Sequence, residues 1–309
     1  MARIATLTMN PAIDVAYTVP EMRPVHKLRC HDEQYDPGGG GINVARVLGR
    51  FGHKASCYYL SGGHSGAMLD RLLLQHALER RPIPISGNTR ICFNVIEESS
   101  AQEFRFVPEG PLVSDQEWQT CLHALESAPC DYLVASGSLP RGVPADFYAR
   151  LGKIALNRGF RLVLDSSGDA LREGLAGGNI HVFKPSDGEL AALVGRELSS
   201  IEEIGAAAME FVTAGKAQMV AVTMGAQGGL FADRDGPRFF AAPPVRAISA
   251  VGAGDSAVAG MVHALAQGKT PLEAFRFGQA AGTAAVLTPG TDMCVPRDVE
   301  RIYRAMTAG

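Results

Sequence analysis

The stretch Ser249-Ala250-Val251-Gly252-Ala253-Gly254-Asp255-Ser256 decides how the rest of the chain is interpreted. It is a turn of small residues with one carboxylate, and an apolar run over 257–266 follows, which predicts a helix. Gly252 and Gly254 allow a ligand to approach the backbone closely, because glycine has no Cβ. The free N–H groups of a helix's first turn, together with the helix dipole, favour an anion. The sequence therefore predicts an anion site beside Asp255.

The carboxylate of Asp255 has two interpretations. Static phosphate binding is disfavoured beside it, since the two negative charges repel. A carboxylate beside an anion site is explained if Asp255 takes a proton from a hydroxyl group that attacks a phosphoryl group. The backbone of Gly252, Ala253 and Gly254 would hold that phosphoryl group. The alternative is that Asp255 is only the N-cap of the helix, a common position for aspartate.

Composition and charge exclude several classes of protein. The 309 residues are 46% hydrophobic and 20% charged, with a net charge of −3, so there is no basic excess for nucleic acid. No apolar segment is long enough to cross a membrane, and the N-terminus lacks a signal-peptide layout. The six cysteines form no Cys-x-x-Cys pair, and the histidines show no metal-ligand spacing. We expect a cytoplasmic protein with reduced cysteines.

Most of the chain alternates between strand and helix patterns. This alternation predicts a mainly parallel sheet with helices on both faces. Ligands bind beyond the carboxyl ends of the strands in such sheets. Asp14 follows the first predicted strand, over 3–9, and is either a partner for sugar hydroxyls or a solvated loop residue.

A second, smaller sheet is predicted in the first third of the chain. Polar, extended segments over 15–36 and a strand pair within 88–108 indicate a lid inserted into a single domain spanning 1–309. Lys27, Arg29 and His31 alternate there, which would place them on one face of a strand. Such a face either meets a phosphate or is simply solvated.

Four consecutive glycines, 38–41, precede Ile42 and Asn43 and then a helical pattern that ends near Phe51. Glycine runs are costly in backbone entropy, so a run that leads into a helix indicates close approach of a ligand. Asn43 could then hydrogen-bond a hydroxyl group. A flexible surface turn is the alternative.

The stretch from Gly252 to Ala257 also matches the G-x-G-x-x-G/A fingerprint of dinucleotide-binding proteins. That fingerprint belongs at a first βα turn, whereas this one lies near the C-terminus, and Asp255 would repel a pyrophosphate. A nicotinamide-dependent oxidoreductase therefore remains only as an alternative.

The motifs over 39–45 and 251–256, in this order and about two hundred residues apart, resemble those of the ribokinase-like (PfkB) family of sugar kinases over essentially the whole chain. The resemblance implies a three-layer α/β sandwich with a β-sheet lid. It also implies transfer of the γ-phosphoryl group of ATP to a sugar hydroxyl, with Mg²⁺ and possibly K⁺ as cofactors. Asp255 would be the base, and Gly252, Ala253 and Gly254 would form the anion hole.

The resemblance extends to a branch of this family. Kinases of fructose 1-phosphate and tagatose 6-phosphate usually carry a lysine where this chain has Gly40. The four-glycine form resembles the branch that phosphorylates the 1-hydroxyl of fructose 6-phosphate, as do the segments 27–30, 136–140 and 165–168. Tagatose 6-phosphate and fructose 1-phosphate remain alternative substrates. The family also implies a homodimer formed through the lid.

Further residue roles follow from the resemblance alone. The residues implied on the substrate side are Asp14, Lys27, Gly39, Gly40, Asn43, Arg90 and Ser138, with Lys27 and Arg90 on the 6-phosphate. The residues implied in the nucleotide pocket are Lys184, Ser186, Thr223, Gly225 and Gly228. Those implied for metals are Glu189 for Mg²⁺ through water, and Ser249, Val251, Ala285 and Gly290 for a monovalent cation.

The sequence departs from the family pattern at two positions. The Asn-x-x-Glu motif begins with Ser186 here, and Ala250 stands where threonine is usual. Serine has a shorter reach than asparagine, which bears on the Mg²⁺–phosphate water network. A non-catalytic sensor of sugar phosphates is the alternative that this substitution leaves open.

Overall fold

The computed structural model of the chain describes residues 2–290 and 292–307. Numbered along the chain, its strands are β1 (Ile4–Thr8), β2 (Ala12–Val19), β3 (His31–Gly38), β4 (Ser56–Ser61), β5 (Glu79–Pro84), β6 (Arg90–Glu97), β7 (Gln102–Phe106), β8 (Tyr132–Ser136), β9 (Arg161–Asp165), β10 (Ile180–Phe183), β11 (Ala217–Thr223), β12 (Gly228–Asp233) and β13 (Gly236–Ala241). Its helices are α1 (Gly40–Arg50), α2 (Gly63–Leu73), α3 (Asp115–Glu126), α4 (Phe147–Arg158), α5 (Gly168–Gly177), α6 (Asp187–Val194), α7 (Ile201–Thr213), α8 (Ala253–Ala266), α9 (Pro271–Ala285) and α10 (Pro296–Thr307). None of the helices in these ranges is long and apolar enough to cross a membrane.

Nine strands form the main sheet in the order β13-β12-β11-β10-β9-β8-β1-β4-β5. Its strands are parallel from β11 to β5, and Leu7 of β1 lies opposite Tyr58 of β4 and Ala135 of β8. The strands β12 and β13 add an antiparallel edge. The carboxyl ends of β1, β8, β9 and β10 therefore lie along one edge of the sheet, where ligands bind in such folds.

The core consists of two apolar layers, one on each face of the main sheet. Leu133 and Val134 are neighbours on β8, but their side chains belong to opposite layers, because successive side chains of a strand point to opposite faces. The helices α1, α2, α8, α9 and α10 cover one face, and α3 to α7 cover the other. The predicted three-layer α/β arrangement is confirmed.

The lid is a separate four-stranded sheet in the order β3-β2-β6-β7. The strands β2 and β6 run parallel in its centre, with Asp14 opposite Cys92, and β3 and β7 are antiparallel edges. Because β3 leads directly into α1, the lid is joined to the main body at the glycine-rich segment.

The prediction that Lys27, Arg29 and His31 share a strand is wrong. Only His31 lies in β3, and residues 20–30 form a loop between β2 and β3. Pro20 and Pro24 explain the loop, because proline has no N–H to donate to a strand ladder.

Candidate active site

A cavity of about 380 Å³ lies where the carboxyl ends of β8 and β9 meet α1, α8 and the underside of the lid. A cavity of this size suits a small polar ligand. It brings together ten of the predicted site residues, which are Asp14, Gly39, Gly40, Asn43, Arg90, Ser138, Glu189, Val251, Gly252 and Asp255.

Asp255 lies in the first turn of α8, and its carboxylate does not cap the helix. Gly252 is the N-cap, with a φ of 71°, and the helix has no side-chain cap. The N-cap interpretation of Asp255 is therefore wrong. The first-turn N–H groups of α8 lie at the cavity, so an anion held there would sit beside the carboxylate. The oxidoreductase alternative fails as well, since a loop over 242–252 separates α8 from β13 and no strand–turn–helix unit forms.

The charge of Asp255 depends on its surroundings. Burial raises its pKa to about 6, and the Asp165 carboxylate adds to this effect. In the opposite direction, Nδ2 of Asn43 donates a hydrogen bond of 2.9 Å to Oδ2 of Asp255, and the Lys184 ammonium also lowers the pKa. The result is a carboxylate that is ionised at neutral pH and basic enough to accept a proton.

Lys184 and Asp165 form a buried ion pair at the ends of β10 and β9. Their Nζ and Oδ1 atoms are 3.1 Å apart, and Oγ of Ser136 donates to the other oxygen of Asp165 at 3.2 Å. Burial lowers the pKa of Lys184, but the Asp165 carboxylate raises it by more, so the net shift of this pKa is upward. An added Cβ on Gly254 would lie 3.7 Å from Nζ, which places this cation beside the first turn of α8.

The glycines at the N-terminus of α1 allow the start of this helix to pack against the ends of β1 and β8. A Cβ on Gly40 would lie 2.1 Å from Oγ of Ser136, and one on Gly39 would lie 2.6 Å from Cγ2 of Thr8. Gly39 also has a φ of 113°, a conformation that side chains disfavour. A lysine at position 40 would therefore require Ser136 to move.

Two arginines and one carboxylate line the cavity on the lid side. Asp14 of β2 faces Arg90 of β6 and Arg105 of β7 across the sheet. Burial raises the pKa of Asp14, and the two guanidinium groups act against this shift. No local feature of the sequence places Arg105 beside the cavity, because its position depends on the pairing of β7 with β6.

Asn10 positions two of the predicted substrate residues. Its backbone oxygen accepts a hydrogen bond of 2.8 Å from Arg90, and its Nδ2 donates to Oγ of Ser138 at 3.3 Å. Arg90 also donates to the backbone oxygen of Pro108 at 2.9 Å. The sequence indicates only a turn at Asn10, so this role was missed.

A second, largely apolar pocket lies between β10, β11 and the helices α8 and α9. Its walls include three predicted nucleotide residues, Lys184, Thr223 and Gly228. Gln279 also lines it and donates from Nε2 to the backbone oxygen of Phe240 at 2.8 Å, while its buried Oε1 has no hydrogen-bond partner among the described residues. No local pattern marks Gln279 as a site residue, because it lies in the middle of a helix.

Ser186 and Glu189 form a capping box at the start of α6. Oγ of Ser186 accepts from the backbone N–H of Glu189 at 3.1 Å, and the Glu189 carboxylate accepts from the backbone N–H of Ser186 at 2.7 Å. Ser186 is thus the N-cap of α6. The backbone N–H and hydroxyl of Ser186 thus orient the carboxylate that also lines the cavity.

Three further predictions concern Gly225, Lys27 and the four residues proposed for a monovalent cation, of which Val251 lines the cavity. Gly225 lies in a short 3₁₀ turn before β12, and Lys27 is exposed in the loop over 20–30. The segments proposed for a monovalent cation adjoin each other, since the N–H of Ile248 donates to the oxygen of Val286 at 2.7 Å. They contain Ser249, Val251, Ala285 and Gly290.

Comparison with known proteins identifies the family. A model described as pfkB family carbohydrate kinase matches residues 6–298. The chain belongs to this family. It is 42% identical over 303 residues to the ATP-dependent 6-phosphofructokinase isozyme 2 of Mycobacterium tuberculosis (strain CDC 1551 / Oshkosh), covering 97% of this chain and 89% of that protein. It is 41% identical over 304 residues to the enzyme of the same description from Escherichia coli (strain K12), covering 98% of both.

The fold agrees with this family. The crystal structure of phosphofructokinase-2 from Escherichia coli in complex with potassium matches with a TM-score of 0.96 at 39% identity, covering 99% of this chain and 100% of that one. The predicted family, the ribokinase-like fold and the class of enzyme are therefore confirmed, whereas the roles of individual residues stay predictions.

Proposed function

We propose that this protein is an ATP-dependent 6-phosphofructokinase, which phosphorylates the 1-hydroxyl of fructose 6-phosphate. The observation that carries the proposal is one cavity with Asp255 and the α8 N-terminus on one wall and Arg90 and Arg105 on the lid. A sugar phosphate has a hydroxyl for the first wall and an anion for the second. The Escherichia coli relative has been crystallised in complex with fructose-6-phosphate.

Asp255 accepts the proton of the 1-hydroxyl as the sugar oxygen attacks the γ-phosphorus of ATP. The new O–P bond forms while the bond to the bridging oxygen breaks, and ADP leaves. The first-turn N–H groups of α8 and the Lys184 ammonium stabilise negative charge on the transferring group. Closure of the lid excludes water, which would otherwise take the phosphoryl group.

The metal and nucleotide sites follow from donor chemistry. Within the described residues no three His, Cys, Asp or Glu side chains are grouped to hold a metal ion. Mg²⁺ would be held by Glu189 through water and by the phosphates of ATP. The apolar pocket takes the adenine base, with Oε1 of Gln279 as acceptor for its amino group. The oxygen-bearing segments around Ser249 and Ala285 take a monovalent cation such as K⁺.

The lid is the proposed surface for a homodimer. Its exposed apolar side chains include Ile91, Phe93, Ile96, Phe106 and Val107. Such a patch on a single chain is typical of an interaction surface. Within one chain the phosphate role falls to Arg90 and Arg105, and Lys27 would need the loop over 20–30 to be placed differently.

The test is ADP release from MgATP with fructose 6-phosphate, tagatose 6-phosphate, fructose 1-phosphate and unphosphorylated fructose in parallel. We expect kcat/KM to be highest for fructose 6-phosphate and lowest for fructose. A higher kcat/KM for tagatose 6-phosphate or fructose 1-phosphate would assign that sugar phosphate as the substrate instead. If no sugar is phosphorylated but a sugar phosphate protects against thermal unfolding, the protein is a sensor and the proposal is wrong.

A further inference from the structure

Arg46 is a buried cation one turn after Asn43 on α1. Only 5% of this residue is exposed, and its guanidinium donates to the backbone oxygen of Pro37 at 3.1 Å and to Oδ1 of Asn43 at 3.2 Å. Its other terminal nitrogen lies 3.6 Å from Oδ1 of Asp36, at the end of lid strand β3. Burial lowers its pKa, and Asp36 acts against that shift. Burying a charged guanidinium is costly in free energy, so its retention here indicates a functional role for these contacts.

The contact with Arg46 determines which way the Asn43 amide points. An asparagine amide has one oxygen that accepts and one nitrogen that donates. With Oδ1 facing Arg46, Nδ2 faces Asp255 and donates to its carboxylate at 2.9 Å. The flipped amide would place an oxygen against the Asp255 carboxylate and a donor against the guanidinium, and both contacts would be repulsive.

We propose that Arg46 is a positioning residue for the phosphoryl transfer: it fixes the Asn43 amide so that Asn43 donates to Asp255, and it ties this arrangement to the end of lid strand β3. The inference rests on the proposed function. Arg46 touches neither the reacting hydroxyl nor ATP in this scheme, and acts through Asn43. The carbonyl of Pro37 and the carboxylate of Asp36 belong to the lid, so the same guanidinium joins the lid and the base.

The proposal predicts how Asp255 titrates. The groups that face Asp255 are Asp165 at the end of β9, Lys184 at the end of β10, Asp14 on β2 and the Asn43 amide on α1. The carboxylates favour the protonated form, whereas Lys184 and Asn43 favour the ionised form. Loss of Arg46 frees the Asn43 amide to turn, so the pKa of Asp255 must rise from its value of about 6.

The experiment compares Arg46→Met and Arg46→Lys with the control Arg276→Met. Arg276 is a half-buried arginine whose Nε has no hydrogen-bond partner among the described residues, and it donates to the backbone oxygen of Met306 from α9. In Arg46→Met we expect kcat to fall roughly tenfold and the acid limb of kcat/KM to move up by about half a pH unit or more, the effect of one hydrogen bond. The lysine ammonium is a compact point charge without the planar fork that reaches Pro37, Asn43 and Asp36 together, so Arg46→Lys should shift the acid limb in the same direction.

A double variant separates positioning from general damage. If Arg46 acts through Asn43, Arg46→Met should shift the acid limb no further in an Asn43→Ala background, because the two changes remove one interaction. Additive shifts would overturn the proposal. Thermal unfolding checks that each variant is folded, and Arg46→Lys alone decides the matter if Arg46→Met is not.

A second readout does not need turnover. Carboxyl ¹³C NMR of aspartate-labelled protein follows the titration of Asp255 directly, and the resonance is assigned by its absence in Asp255→Asn. An upward shift of this titration in the Arg46 variants, with none in Arg276→Met, supports the positioning role of Arg46. This readout holds even if wild-type protein phosphorylates no sugar, and that inactivity would count against the proposed function alone. An unmoved Asp255 titration in both Arg46 variants overturns the positioning role.

Discussion

Nζ of Lys184 lies 3.1 Å from Oδ1 of Asp165, and the two side chains are only 10% and 16% exposed. Removing one partner of a buried pair leaves the other charge uncompensated. We expect Lys184→Met to lower the free energy of unfolding by about 3 kcal/mol. Loss of a cation beside the transferring group should also lower kcat by roughly 10²-fold.

Denaturant unfolding and steady-state kinetics measure the two effects of Lys184→Met. The control is Arg172→Met, which breaks the exposed pair between Arg172 and Asp169. Arg172→Met should lower the free energy of unfolding by at most about 1 kcal/mol and leave kcat unchanged. Wild-type stability and kcat in Lys184→Met would contradict the role of the buried pair.

The pH dependence of the rate should report Asp255. Its pKa is raised to about 6 by burial and by Asp165, and the base must be ionised to accept a proton. We therefore expect kcat/KM to fall about tenfold per pH unit below pH 6 and to be flat above it. Asp255→Asn should lose at least roughly 10²-fold in kcat. A variant that keeps more than about a tenth of the rate would exclude Asp255 as the base.

The raised pKa of Asp255 should also lower the free energy of unfolding of the protein at neutral pH. The folded pKa of Asp255, about 6, lies above its usual value of 3.8, so the folded protein binds a proton between these values that the unfolded chain does not. Stability then falls as the pH rises from about 4 to 6 and stays low above it. At pH 8 the free energy of unfolding of Asp255→Asn, measured by denaturant unfolding, should exceed that of wild type by up to about 3 kcal/mol. Near pH 4 the two proteins should be equally stable. Equal stability at both pH values would contradict the shift.

The sequence predicted the parts of the site that depend on local chemistry. Asp255 and Asn43 each follow glycines at the start of a helix, and the parallel sheet brings these helix starts to one edge. Gln279 and Arg105 could not be found in this way, since one lies within a helix and the other on an exposed strand. Their roles depend on tertiary structure: the Gln279 Oε1 is buried without a partner in the described part of the chain, and Arg105 is placed by the register of β7.

Two elements of the fold were missed for different reasons. The strand β5 contains Pro82 and Pro84, which argue against a strand, but it lies at the edge of the main sheet where proline is tolerated. The helix α5 has Ser167 at its N-cap and Asp169 in its first turn, but Ser167 makes no capping hydrogen bond, and the glycines at 168, 174 and 177 lower the helix propensity of the segment.

Ser186 can be tested against the asparagine of the family. Ser186→Ala removes the hydroxyl that caps α6 and also donates to Glu189, so we expect a loss of about 1 kcal/mol in the free energy of unfolding and a higher Mg²⁺ requirement. Asparagine is an equally good N-cap, so Ser186→Asn should keep the stability. Denaturant unfolding and Mg²⁺ titrations of the rate measure both. The control Ser200→Ala removes the cap of α7 and should change stability alone.

The choice of nucleotide base should depend on Gln279. Its buried Oε1 has no partner among the described residues and lines the apolar pocket, so it would accept a hydrogen bond from the amino group of adenine. Guanine carries an oxygen at the same ring position, which would repel Oε1. We expect Gln279→Leu to raise the KM for ATP by roughly tenfold, the effect of one hydrogen bond, and to leave the KM for GTP unchanged or lower. Steady-state kinetics with both nucleotides measure this, with Gln267→Leu at the exposed C-cap of α8 as control. An unchanged ratio of ATP to GTP specificity in Gln279→Leu would show that the base is recognised elsewhere.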